Sequence, residues 1–167
     1  MSNKELIKKY PWLQVDDPYG PGNWSNCWLD DLEPGWRKAF GEDLCRELDK
    51  AIKLDKCQDN FKFIQIKEKF GSLRLYATGY GPCTQEILAK YEELSKFICG
   101  KCGAIATHVS DSFWIYPWCN DCLKELGGVR LTSIHDWYGL PEGSTVEDVV
   151  ADIKDCFKYS DYWVTMK

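Results

Sequence analysis

Apolar residues at Trp36, Phe40, Leu44, Leu48 and Ile52 return every four positions between Pro34 and Leu54, while Arg37, Glu42, Arg46 and Lys50 fill other faces. That stripe predicts one long amphipathic helix, and Pro34 suits its first turn because the N–H that proline lacks would have no partner there. A second stripe, Ile87, Leu88, Tyr91, Leu94 and Ile98, predicts a helix over residues 84–98, with Thr84 as its cap and Glu86 in its first turn. Residues 2–9 read as a short helix capped by Ser2 and stopped before Pro11. Near the other end, Ser144-Thr-Val-Glu147 reads as a capping box opening a helix whose apolar face is Val146, Val149, Val150, Ile153 and Phe157.

The pattern turns strand-like at residues 61–67 and 73–78. These predict a hairpin about the segment Glu68 to Ser72, where Gly71 can adopt the positive φ that tight turns often demand. Residues 104–109 and 113–118 predict a second hairpin around Ser110-Asp-Ser, and residues 129–134 a further strand. Asp16 to Trp28 is punctuated by Pro and Gly and reads as an ordered loop, with Trp24 and Trp28 wrapping it over the core. The expected fold class is α+β: a small mixed domain of helices and hairpins spanning residues 1–167, with a metal module at residues 99–126 built into it.

The module is predicted from cysteine spacing. Cys99-Gly-Lys-Cys102 and Cys119-Asn-Asp-Cys122 are two Cys-x2-Cys turns separated by sixteen residues. Such turns present two sulfurs each to one tetrahedral Zn²⁺, as in a zinc ribbon. Four thiolates fill the zinc shell and leave no position for water or substrate, so the expected role of the one ion is structural. A disulfide framework would need an oxidising compartment. The first residues carry no apolar signal segment and no stretch is long enough to span a bilayer, so the expectation is a reducing cytoplasm and no membrane. The other five of nine cysteines, Cys27, Cys45, Cys57, Cys83 and Cys156, are scattered and expected to be core or half-buried thiols.

Charge narrows the partners. The chain carries a net charge of -5, with no basic segment, which argues against a general DNA-coating protein. Its aromatic fraction of 14% supplies a core and leaves Trp12, Trp24, Trp28, Trp137 and Trp163 as candidate interface anchors beside the expected core residue Trp36.

Three features together, Gly35-Trp36 at the start of a helix, the run Lys67-Glu-Lys-Phe-Gly-Ser-Leu-Arg74-Leu-Tyr76, and a helix entering Cys99-Gly-Lys-Cys-Gly103 before a Trp-containing second knuckle, are similar to a family. It comprises small bacteriophage- and prophage-encoded proteins without assigned activity, in which a Lys-Glu-Lys-Phe-Gly-x-Leu-Arg segment precedes a zinc ribbon. The similarity covers residues 34–122. It implies a bacterial cytosolic setting and an accessory factor that binds and inhibits or redirects a host protein.

Lys67, Lys69 and Arg74 with Tyr76 are the candidate partner- or ligand-binding group, able to hold a phosphate or acidic side chains. The plainer alternative is a solvated strand face whose charge Glu68 and neighbouring acids offset. Catalysis is not expected. A zinc deaminase would carry a glutamate two residues after its histidine, where Ser110 follows His108. Metal-dependent nuclease activity is the least excluded enzymatic reading, although sixteen residues are short for its metal motif and hydrolysis requires open coordination. His135-Asp136 has no evident nucleophile, and reactivity at Cys83 or Cys156 would require an electropositive setting. The expected function is therefore non-catalytic protein binding, with nucleic-acid binding through the ribbon and capture of a small nucleotide-like ligand as alternatives.

Overall fold

The computed structural model describes residues 1–15, 26–112 and 114–156. Phe113, Phe157, Trp163 and most of the loop that includes Trp24 lie outside them. The α+β expectation holds: helices surround two small antiparallel sheets.

Helix α1, Asn3–Lys9, opens on a reciprocal cap in which the Glu5 N–H donates to the Ser2 hydroxyl and the Ser2 N–H donates to the Glu5 carboxylate. Helix α2 runs Pro34–Leu54, as its stripe predicts, and buries Trp36, Phe40, Leu44, Leu48 and Ile52. It ends in a Schellman-type turn, with the Cys57 N–H donating to the Ile52 carbonyl and Lys56 at φ 53°.

Helix α3 spans Pro82–Ser95, and both its ends depart from expectation. The cap is Asp55, which reaches across from the end of α2 and accepts the N–H groups of Cys83 at 3.1 Å and Thr84 at 2.7 Å. Burial works against charge on Asp55, but these bonds hold its carboxyl below the ordinary range. Thr84 itself is fully buried inside the first turn. At the far end the helix stops at Ser95, because Phe97 and Cys99 are drawn into bonds with Ala106 and Ala104 across the first knuckle.

The first sheet pairs β1, Lys62–Lys69, with β2, Ser72–Thr78. Its strands run further toward each other than predicted, leaving a two-residue turn at Phe70 and Gly71 with φ 52° and 76°. Positive φ at both centres marks a type I′ turn, which favours Asn-Gly. A phenylalanine held there costs about 1 to 2 kcal/mol. The outer edge of β2 is covered by α3, whose Ser95 hydroxyl and Glu92 carboxylate accept the N–H groups of Leu73 and Leu75.

The second sheet has the order β4-β3-β5, with β3 His108–Ser110, β4 Tyr116–Trp118 and β5 Leu131–Ser133. Its strands are shorter than predicted. Helix α4, Asn120–Leu123, carries the second knuckle, and α5, Ile134–Tyr138, starts where the strand was expected to continue because Ser133 caps it. Helix α6 is Val146–Cys156. Its capping pair is Thr145 with Asp148, one residue beyond the expected Ser144 and Glu147.

One contiguous apolar core links α1, α2, the first hairpin, α3, Val109, Ile134 and Val150. Trp12 and Trp28, expected as partner anchors, instead contribute their rings to packing beside Phe61 and Phe63. No helix among the described residues is long and apolar enough to cross a membrane.

Inside this core lies a charged node. The side chain of Lys90, 3% exposed, donates to Glu47 of α2 at 2.7 Å and to the Lys154 carbonyl of α6 at 3.1 Å. Glu47 keeps 22% of its side chain in solvent, so the loss on removing Lys90 is that of its bonds and buried stem rather than of a stranded carboxylate. Lys90→Ala is therefore expected to lose about 2 kcal/mol in urea denaturation, while Lys90→Met, which keeps the stem, loses less.

Candidate metal centre

The first knuckle is shaped by backbone bonds: the Cys99 N–H donates to the Ala104 carbonyl at 2.8 Å and the Gly103 N–H donates to the Cys99 carbonyl at 2.9 Å. Gly103 sits at φ 84°, a conformation that the reversal requires and that other residues resist. The second knuckle places Cys119 at the start of α4, close to the backbone N–H groups of Asp121 and Cys122. A bond from the Gly100 N–H to the Pro117 carbonyl joins the two.

This arrangement brings Cys99, Cys102, Cys119 and Cys122 together, with all four sulfurs within 4.8 Å of one another. Cys102 and Cys119 approach to 3.5 Å. Thiolates bonded at about 2.3 Å to one tetrahedral ion lie about 3.8 Å apart, whereas a disulfide requires about 2.0 Å. The donor set thus fits a single metal ion. Cys99, Cys119 and Cys122 are buried and Cys102 partly so. Burial opposes ionisation of Cys119, but the α4 N–H groups and neighbouring sulfurs bring its thiol down to about 7. Burial, reinforced by Cys102, Cys119 and Cys99, pushes Cys122 upward.

Gly35 and Trp36 fasten this site to the body. The Gly35 N–H donates to the Gly100 carbonyl at 2.6 Å, and the buried Trp36 indole N–H donates to the Ile98 carbonyl at 2.9 Å. A Cβ on Gly35 would overlap the Cys99 carbonyl oxygen, and one on Gly100 would overlap the Tyr116 hydroxyl. That hydroxyl donates to Glu33 at 2.7 Å and is held protonated by burial and by this carboxylate. Glu33, Gly100 and Tyr116 were not singled out from the sequence. A glycine between metal cysteines is too common to signal a close approach.

The other candidates lie elsewhere. Among the described residues, the four cysteines are the one group of three or more cysteines, histidines and acids able to hold a metal. His108 is within 3.0 Å of the Thr107 hydroxyl, and His135 is 3.1 Å from the Pro141 carbonyl. Cys27, Cys45, Cys57 and Cys83 are buried free thiols. Burial pushes Cys45 up to about 12, and burial with the nearby Asp55 pushes Cys83 up to about 11, the reverse of an electropositive setting.

Lys67, Arg74, Lys69 and Tyr76 fall on one face of the first sheet, since Lys67 opposes Arg74 and the alternate positions share their side. The Lys67 ammonium lies 5.1 Å from the Tyr76 ring centre. Arg74 donates to the Ser72 hydroxyl and the Leu73 carbonyl. No ion pair joins Lys67, Lys69 or Arg74 to a carboxylate among the described residues. Glu68, expected to offset them, alternates to the opposite side and accepts the Gly71 N–H at 2.6 Å.

No family model matches the chain, and neither does any curated protein or solved structure. The reading of the centre therefore rests on its own geometry.

Chelation is expected to free four additional thiols for reaction with a disulfide reagent while removing one ion per chain, measured by absorbance and elemental analysis. Gly35→Ala, which forces α2 away from the knuckle, is expected to cost about 3 kcal/mol in urea denaturation of the metal-loaded protein.

Proposed function

We propose that this chain is a non-catalytic binding protein, stiffened by one structural Zn²⁺ on Cys99, Cys102, Cys119 and Cys122, that docks an acidic protein surface on its first sheet. Zinc is the assigned ion because thiolates are soft ligands and four of them at tetrahedral spacing suit its closed structural sites. With four sulfurs on the ion, no coordination position is left for water or substrate, so the metal serves as scaffold.

The observation that carries this reading is the common face of Lys67, Lys69, Arg74 and Tyr76, three cations with no carboxylate partner among the described residues beside an exposed ring. Cations so placed are available to pair with acidic side chains, and Arg with Tyr is a composition favoured at interface hot spots. The overall charge of -5 favours a protein over a nucleic acid. Similarity to phage-encoded proteins supports a host protein of the bacterial cytosol as the partner, bound so that its own surface is blocked.

Affinity capture from bacterial lysate with the wild type and with Lys67→Glu, Lys69→Glu, Arg74→Glu combined tests this. The expected outcome is a protein retained by the wild type, indifferent to nuclease treatment, and lost with the charge-reversed chain at unchanged metal content. Capture that survives charge reversal, or that depends on nucleic acid and falls steeply with salt, would contradict it.

A further inference from the structure

The hairpin turn and the ribbon loop meet: a Cβ on Gly71 would lie 2.9 Å from the Ile115 side chain. Between them is a cleft of about 420 Å³ lined by Glu68, Lys69, Phe70, Asp111, Trp114 and Ile115. That size falls within the range of roughly 300 to 1,000 Å³ typical of ligand pockets. Phe70 is 68% exposed and Trp114 65%, so two large rings stand in solvent along one opening. Phe70 also occupies a backbone conformation that suits Asn and disfavours an aromatic side chain. With the ring largely unburied, little in the free fold beyond the Lys69 ammonium beside it offsets that strain. An exposed, strained aromatic residue is explained by what it contacts when a partner is present.

Charge identifies that partner. The acids lining the cleft are already engaged, Asp111 by the Arg130 guanidinium at 2.7 Å and Glu68 by the Gly71 N–H. Lys69 is shared by the cleft and the cationic face, with its ammonium 5.4 Å from the Phe70 ring centre. Lys69 thus stands at the cleft and on the sheet face that carries Lys67 and Arg74.

Resting on the reading of that face as a docking surface, we infer that the cleft between Phe70 and Trp114 receives one bulky apolar side chain of a partner segment whose neighbouring residues are acidic. The anchor fills the space between the rings, and its flanking carboxylates pair with Lys69, Lys67 and Arg74.

Selection of randomised short peptides, displayed on ribosomes, against the metal-loaded full chain tests this. The expected sequences carry Asp or Glu beside a single Trp, Phe or Leu. Phe70→Asn and Trp114→Ala should each weaken the selected peptide roughly tenfold or more. Phe70→Asn should meanwhile melt at or above the wild-type temperature, because Asn-Gly suits the turn. Acidic peptides without an apolar anchor, or anchored peptides indifferent to both variants, would overturn the cleft and leave the docking face standing. Anchored peptides without acidic residues would overturn the role of the cations, and a failure to enrich any peptide would overturn both. A lower melting temperature for Phe70→Asn would make the ring structural and defeat the inference.

Discussion

Four sulfur atoms held within 4.8 Å of one another set the terms for the rest of this molecule. As thiolates they repel, and as thiols they leave a polar pocket poorly filled; one cation resolves both. Each knuckle is shaped by its own backbone bonds, and the two are joined by the bond from Gly100 to Pro117 and by the ion pair of Lys101 with Glu125. The energy a structural zinc supplies, about 10 to 16 kcal/mol in small sites, rivals the whole stability of a domain this size. The ribbon sheet, its attachment to α2 and the position of the hairpin tip follow from that convergence.

Rigidity spreads from the centre by close approach of backbones. Gly35 lets the start of α2 touch the first knuckle, Trp36 reaches the Ile98 carbonyl, and Tyr116 returns from the ribbon to Glu33. Through Gly71 and Ile115 the same ribbon meets the first hairpin. The cationic face and the aromatic cleft are thus built on elements referred to the four-cysteine centre, which would keep the proposed docking surface in shape before any partner arrives. Preorganisation of this kind lowers the ordering cost of association.

Long periodic elements were legible in the chain. The stripe from Trp36 to Ile52 marked α2 to its ends, and cysteine spacing marked the four residues whose sulfurs converge, because each signal is local and repeats. What was missed depends on distant residues. Thr84 looked like a cap, yet Asp55, nearly thirty positions away, satisfies those N–H groups. Residues 96–98 continued a helical stripe, but the knuckle pulled Phe97 and Cys99 into bonds with Ala106 and Ala104. Glu68 looked like a counter-charge to its lysine neighbours, although strand alternation sends it to the other side. A Phe-Gly pair at a hairpin centre, where Asn-Gly is preferred, was a visible sign of Phe70's unusual backbone, and it carries meaning only once the strand register is known.

X-ray absorption at the metal edge of the purified protein is the most direct test of a closed, thiolate-only scaffold. The account predicts one zinc per chain with four sulfur scatterers at about 2.3 Å and no lighter ligand. A shell with a nitrogen or oxygen in place of one sulfur would mean an open position at the ion, and a chain that binds no metal would remove the constraint altogether.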